Sequence, residues 1–172
     1  RMEKPESVHW PCPTLEHPGT PILHREKFSA ADGLGTFFGL EHRPPAEVAD
    51  AEYPFTLMTG RLIFHYHTRT QTGRAKILHH EVPEAYVQIN EEDAARLKIQ
   101  NGEMIRLRSR RGEAEALARV TDEVAPGVLM MTMHFGGKGS VNLLTNNVLD
   151  PLSKMPELKH SAVAVEKITG VQ

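Results

Sequence analysis

Cysteine is almost missing from this 172-residue sequence, Cys12 being the only one. That excludes a disulfide framework, a four-cysteine zinc site and any iron–sulfur cluster held by this chain alone. No apolar run approaches the roughly eighteen residues that a membrane span needs. The opening residues, Arg1-Met2-Glu3-Lys4-Pro5, lack the apolar stretch of a secretion signal. They also do not begin with methionine, which fits a processed product or a piece of a longer chain. Surplus charge is absent too. The net charge is −2 and the isoelectric point about 6.6, so no global field favours nucleic acid or an anionic membrane. What remains is ordinary: 40% hydrophobic and 24% charged residues in 19.2 kDa, enough for one domain with a real core, or one domain plus an appendage.

Proline is unevenly spread. Seven of the twelve fall within residues 1–50, and each fixes φ and removes a backbone donor, so little regular structure is expected there. Trp10, Phe28, Phe37, Phe38 and Leu40 make that stretch too apolar for a solvated linker; it reads as an extended arm that packs against this domain or a neighbour. From residue 51 the pattern changes to short strands bounded by turn signals. Phe55–Thr59, Ala85–Ile89, Met104–Ser109, Glu113–Val120, Val128–Met133 and Ser161–Lys167 are strand candidates, with Val128–Met133 apolar enough to be buried on both faces. Asn90 followed by Glu91, Glu92 and Asp93 signals a helix N-terminus, and the helix should run to about Leu97. Six or seven short strands and one clear helix predict a mostly-β barrel over 51–172.

Acidic residues are withheld from two stretches. None of the 22 lies between Glu52 and Glu81, a gap holding Arg61, Arg69, Arg74, Lys76, His65, His67, His79 and His80. None lies between Val124 and Leu149, where His134, Lys138, Asn142, Asn146 and Asn147 occur. Cations and neutral donors without carboxylates suit an anionic ligand. Thr59-Gly60-Arg61 ends a predicted strand and offers a hydroxyl, a close backbone approach and a bidentate guanidinium. In an extended His65-Tyr66-His67-Thr68, the two imidazoles would share a face, either for a metal or for hydrogen bonds to a phosphate or pterin. Gly136-Gly137-Lys138-Gly139 forms a turn but is not a P-loop. Lys159, on its sequence alone, reads as a surface lysine.

From Tyr53 to the C-terminus, about 120 of the 172 residues, the text resembles the molybdopterin-dinucleotide-binding C-terminal domain of bis-molybdopterin oxidoreductases. Formate dehydrogenases and periplasmic or assimilatory nitrate reductases belong to that family. The matching residues are Tyr53-Pro54-Phe55, Thr59-Gly60-Arg61, His65-Tyr66-His67-Thr68, Thr72, Pro83-Glu84-Ala85, Ile89-Asn90, Asp93-Ala94, Ser109-Arg110-Arg111-Gly112 and Pro126-Gly127-Val128. They continue with Asn142-Leu143-Leu144-Thr145, Asp150-Pro151, Lys154, Pro156-Glu157 and Lys159. Upstream, Trp10-Pro11-Cys12-Pro13, His17-Pro18-Gly19-Thr20 and Arg43-Pro44-Pro45-Ala46-Glu47 resemble the catalytic subunit of formate dehydrogenases.

The resemblance implies a double-psi β-barrel of the aspartate decarboxylase-like type, with residues 1–50 leading in from a preceding catalytic region. It implies that Thr59, Gly60, Arg61, His65, Tyr66, His67 and Thr68 wrap one guanine dinucleotide of a molybdenum or tungsten cofactor. Asn142 and Lys159 join them as cofactor contacts, and Met133 and His134 lie near the region facing the active site. Met131-Thr132 stands where relatives commonly show Met-Pro. The metal ligand, the catalytic His and Arg and the iron–sulfur cluster sit N-terminal to this domain in the family, so no residue here is assigned to catalysis or to metal. The expected partners are the remainder of the catalytic subunit and iron–sulfur electron-transfer subunits, with no nucleic acid and no membrane span. The expected activity is oxidation of formate to carbon dioxide, in the cytoplasm. Three alternatives stand beside it: a nitrate reductase-type subunit, a double-psi barrel serving only as an interaction module, and a cupin-like metal barrel. The last requires a glutamate shortly after His67, where Gln71 and Thr72 occur.

Overall fold

The computed structural model describes residues 8–168, so Arg1–Pro5 and the C-terminal tail from 169 lie outside the described residues. The chain divides into two compact units, Arg1–Arg43 and Pro44–Gln172.

The first unit has no helix or strand among its described residues. It is held by local bonds: Thr20 donates its N–H to His9 O (2.9 Å) and its hydroxyl to Pro11 O (2.7 Å), and Phe28 N–H reaches Gly33 O (2.9 Å). Proline leaves few donors for anything longer. Trp10, Leu15, Leu34, Phe38 and Leu40 are largely exposed and Phe37 completely so.

The second unit is a closed barrel. Its strands are β1 (Phe55–Gly60), β2 (Tyr86–Asn90), β3 (Met104–Arg108), β4 (Glu113–Thr121), β5 (Val128–Thr132) and β6 (Ser161–Lys167), in the order β1-β5-β2-β4-β3-β6. The β1–β5 and β2–β4 pairs are parallel and all others antiparallel. This is the mostly-β, double-psi barrel that the resemblance implies. Alternation along each strand sends Phe55, Leu57, Val87, Ile89, Ile105, Leu107, Leu129, Met131 and Val163 into one core. Val128–Met133 departs from its expected two-sided burial: Leu129 and Met131 point inward, while Val128 and Met130 are only half-buried on the outer side.

Two helices complete the unit. The helix α2 (Glu91–Leu97) starts as its sequence predicts. Asn90 accepts from Glu92 N–H (2.9 Å) and donates its amide to Val124 O (2.8 Å), capping the helix and tying it to the loop before β5. The other helix, α1 (Lys76–Glu81), is preceded by Ala75, which supplies no side-chain cap.

Residues before β1 strap onto the barrel through Glu47. Its carboxylate accepts from Arg111 (2.7 and 3.2 Å) and Arg110 (2.5 Å), and its carbonyl accepts from His160 Nδ1–H (2.9 Å). Burial works to raise the Glu47 pKa, but the bonds from Arg111 and Arg110 outweigh it and hold the group below the usual carboxylate range. A depressed carboxylate contributes stability above its ordinary value of about 4.3 and loses it as pH falls through the folded value. Replacing Glu47 with Gln should cost about 1–2 kcal/mol at neutral pH, the arginine partners being themselves partly solvated. It should also flatten the acid limb of stability against pH. Urea titrations from about pH 7 down to pH 3 check both, and an unchanged acid limb would remove the strap from the account.

Candidate functional site

The parallel pair β1 and β5 ends on one side of the barrel, because Gly60 is in register with Thr132. Thr59-Gly60-Arg61 leaves the end of β1, and Met133-His134 leaves the end of β5, joined by Met133 N–H to Gly60 O (3.0 Å). A side chain at position 60 would have to displace the flexible, half-buried Met130. A Cβ there would lie 2.0 Å from Met130 Sδ and 2.8 Å from its Cγ.

The antiparallel register of β1 with β6 pairs Leu57 with Ser161, so continuing it outward sets Lys159 opposite Thr59. The contact follows: Lys159 Nζ donates to Thr59 O, and Thr59 N–H donates to Leu158 O (3.3 Å). One of the three ammonium N–H groups is thereby used and the charge stays exposed. A residue that reads as a surface lysine in sequence is thus anchored beside the Thr59-Gly60 end of β1, 100 positions away. Arg61 is exposed and makes no hydrogen bond or ion pair among the described residues. It borders a surface cavity of about 390 Å³, whose wall includes Phe64, Tyr86, Gln88, Arg119 and Glu123. Arg119 bonds the Tyr86 hydroxyl (3.2 Å) and lies over its ring, while Gln88 donates to Glu123. Sequence reasoning missed Arg119, which is an outward residue of an alternating strand, brought beside Arg61 only by barrel closure.

His65 and His67 do not share an ligand-facing surface as an extended segment would give them. The chain turns through residues 62–70, and His67 and Arg69 have φ of 42° and 63°. His65 is buried: its Nε2–H donates to Val82 O (2.7 Å) and its Nδ1 accepts from the Thr72 hydroxyl (3.1 Å), which also accepts Tyr66 N–H (3.2 Å). Both imidazole nitrogens therefore serve the loop. His67, Tyr66 and Thr68 are exposed, with Thr68 and Thr70 hydroxyls bonded at 2.9 Å. His134 is 2% exposed and also uses both nitrogens, accepting Leu62 N–H at Nε2 (2.8 Å) and donating Nδ1–H to His67 O (2.6 Å). Its pKa is lowered, chiefly by burial; the bond to His67 O opposes this, and His65, Arg61 and His67 add to it.

Asn142 lies elsewhere in the hydrogen-bond network. It is exposed on the 3₁₀ turn Val141–Leu143, and Arg111 of the β3–β4 turn binds the next carbonyl, Leu144 O (2.8 Å). No described hydrogen bond links Asn142 to the Thr59–Thr68 segment. The structure therefore joins Thr59, Gly60 and Lys159 directly. Through His134 it joins the backbone of Leu62 and His67, and it leaves Arg61, Tyr66, His67, Thr68 and Lys159 outward. Exposed cations, glycine backbone and hydroxyls form a donor set that fits a pyrophosphate-bearing group.

Comparison with known proteins gives the family. The chain is 48% identical over 165 residues to the F420-dependent formate dehydrogenase subunit alpha of Methanocaldococcus jannaschii, covering 96% of this chain and 24% of that protein. It is 50% identical over 163 residues to the F420-dependent formate dehydrogenase 2 subunit alpha of Methanococcus maripaludis, covering 95% and 24%. A nitrate reductase of Symbiobacterium thermophilum is 39% identical over 183 residues, covering 97% and 24%. The chain thus spans about a quarter of the length of the curated relatives it matches. Among solved structures, acetylene hydratase from Pelobacter acetylenicus superimposes with a TM-score of 0.59 at 18% identity, over 67% of this chain and 18% of that one; this likeness shows the fold. Residues 55–162, nearly the whole barrel, match the family profile of the molydopterin dinucleotide binding domain, and this chain belongs to that family.

Proposed function

We propose that this chain holds one molybdopterin guanine dinucleotide within the catalytic subunit of a molybdenum or tungsten oxidoreductase of the formate dehydrogenase type. The observation that carries the reading is the meeting of Lys159 with the Thr59-Gly60 end of β1 beside an unpaired Arg61, in a segment without carboxylates. Higher identity to formate dehydrogenase alpha subunits than to the nitrate reductase favours formate as substrate over nitrate. When bound, the metal cofactor supplies the two-electron chemistry that converts formate to carbon dioxide, with electrons leaving through iron–sulfur centres outside this chain.

The work of these residues is to bind and orient. Arg61 and the two remaining Lys159 N–H groups neutralise phosphate oxygens, and Gly60 keeps a side chain from blocking the approach. Tyr66, His67 and Thr68 offer exposed donors from the segment that follows, and Asn142 contributes an amide from a separate turn. Residues 51–172 form the cofactor-binding barrel, and 1–50 the stretch that joins it to the rest of the subunit. The partners in this reading are that remainder and iron–sulfur subunits, in the cytoplasm; no described helix is long and apolar enough to cross a membrane.

The test replaces Arg61 and Lys159 with Met in the complete catalytic subunit and measures released guanine nucleotide and formate oxidation. Loss of two charge-assisted contacts should lower retained nucleotide at least about tenfold, with formate oxidation falling in parallel. Full nucleotide content in the double variant would overturn the assignment of the site.

A further inference from the structure

The resemblance puts His134 near the region facing the active site, and in the structure both of its ring nitrogens are bonded within the chain. It is enclosed beneath the segment that leaves β1, with Phe135 next in the chain and the His65 ring 6.0 Å away. Its imidazole spans that segment internally, taking the N–H of Leu62 on one side and giving a proton to the carbonyl of His67 on the other. The four residues between those two anchors, 63–66, carry the turn through which the exposed side chains are aimed, and His67 itself is held at φ 42°. A residue at positive φ without glycine's freedom needs such an external tie.

We propose that His134 is the positioning residue of the dinucleotide segment: in its neutral form, with the proton on Nδ1, it clamps Leu62 to His67 and so fixes where Arg61, Tyr66, His67 and Thr68 point. The inference rests on the proposed cofactor site but adds a residue that does not touch the cofactor. Only one tautomer makes both bonds, because Nε2 must accept while Nδ1 donates. A second proton at Nε2 would turn that acceptor into a donor facing the Leu62 N–H. The groups that meet the ring electrostatically are His65, His67 and Arg61, so no carboxylate among them rewards the protonated state. The sign follows. With the folded pKa below the ordinary value of about 6.5, the clamp is complete above that value and is lost as pH falls through the folded one.

Amide hydrogen exchange at Leu62, together with nucleotide content, tests this in the complete catalytic subunit. The variants are His134→Ala and His134→Gln, with the Arg61/Lys159 double variant as reference. In His134→Ala, exchange at Leu62 should be about tenfold faster than in the parent at neutral pH, and retained nucleotide should fall. His134→Gln keeps an amide acceptor in reach of the Leu62 N–H but has no proton to gain. It should restore slow exchange and remove the acid-side acceleration that the parent shows after correction for intrinsic chemistry. Parent-like exchange at Leu62 in His134→Ala would overturn the clamp. Faster exchange with undiminished nucleotide would also overturn His134 as a positioning residue, provided the Arg61/Lys159 variant loses nucleotide. If that reference variant keeps its nucleotide, the cofactor site itself is wrong, and the exchange result still decides whether the clamp exists.

Discussion

Truncating Leu129 to alanine should remove about 3–4 kcal/mol of stability and lower the melting temperature by roughly 10–15 °C. Leu129 is completely buried in β5, in register with Leu57 of parallel β1 and with Ile89 of antiparallel β2. All three side chains point into the barrel, so the truncated site is enclosed on both flanks by paired strands that cannot close inward without breaking their ladders. A cavity in such a place stays largely open, which puts the cost in the upper part of the range for leucine truncations. The neighbouring Met130 provides the control: it points outward against Gly60 and is half-buried, so Met130→Ala should cost under about 1.5 kcal/mol. Urea unfolding of both variants gives the comparison. Equal costs would mean that the inward and outward faces of β5 are wrongly assigned.

That alternation shows what in the sequence was readable. The helix α2 was legible because its signals are local: Asn90 supplies the cap and three acids fill the first turn. Strands β3 and β4 were legible because charge and apolar residues alternate there, and the register confirms Arg106 opposite Glu115. β5 was readable as a strand but not for its faces, since Val128 and Met130 are as apolar as their inward neighbours; the sequence of an outer residue covering Gly60 looks like that of a core residue. The helix α1 gave no signal, having no cap and no buried residue. The site was partly legible. Thr59-Gly60-Arg61 and the acid-free gaps are linear features. The pairing of Lys159 with Thr59, and the placing of Arg119 in the wall of the cavity that Arg61 borders, arise from closure of the barrel, which no linear spacing displays. His65 and His67 were misread because the i, i+2 rule holds only for extended backbone, and residues 62–70 turn.

Removing the carboxylate of Asp93 should destabilise the barrel by about 3 kcal/mol, nearly as much as the Leu129 truncation. Asp93 is 4% exposed in the first turn of α2. One oxygen accepts from Arg96 (2.5 Å) and the other from Gly127 N–H (2.6 Å). Gly127 has φ of 79°, a conformation glycine permits, and its carbonyl accepts from Thr56 N–H (2.9 Å). A single residue thereby connects α2 to the start of both parallel strands, β1 and β5. Asp93→Ala would leave the half-buried Gly127 N–H without its acceptor and Arg96 without its ion-pair partner; most of the cost comes from the unpaired amide, since Arg96 is 58% exposed. Asp93→Asn keeps the shape but can present only one acceptor, so it should recover about half of the loss. The consequence reaches the candidate site, because β1 and β5 end at Thr59-Gly60-Arg61 and Met133-His134. A shift in their relative register would separate the His134 clamp from Leu62. Asp93→Ala should therefore accelerate exchange at the Leu62 amide below the unfolding transition, whereas Leu129→Ala, which leaves the Gly127 connection intact, should not. Identical exchange in the two variants would show that α2 supports the barrel only in general and does not set the alignment of the strands that carry the site.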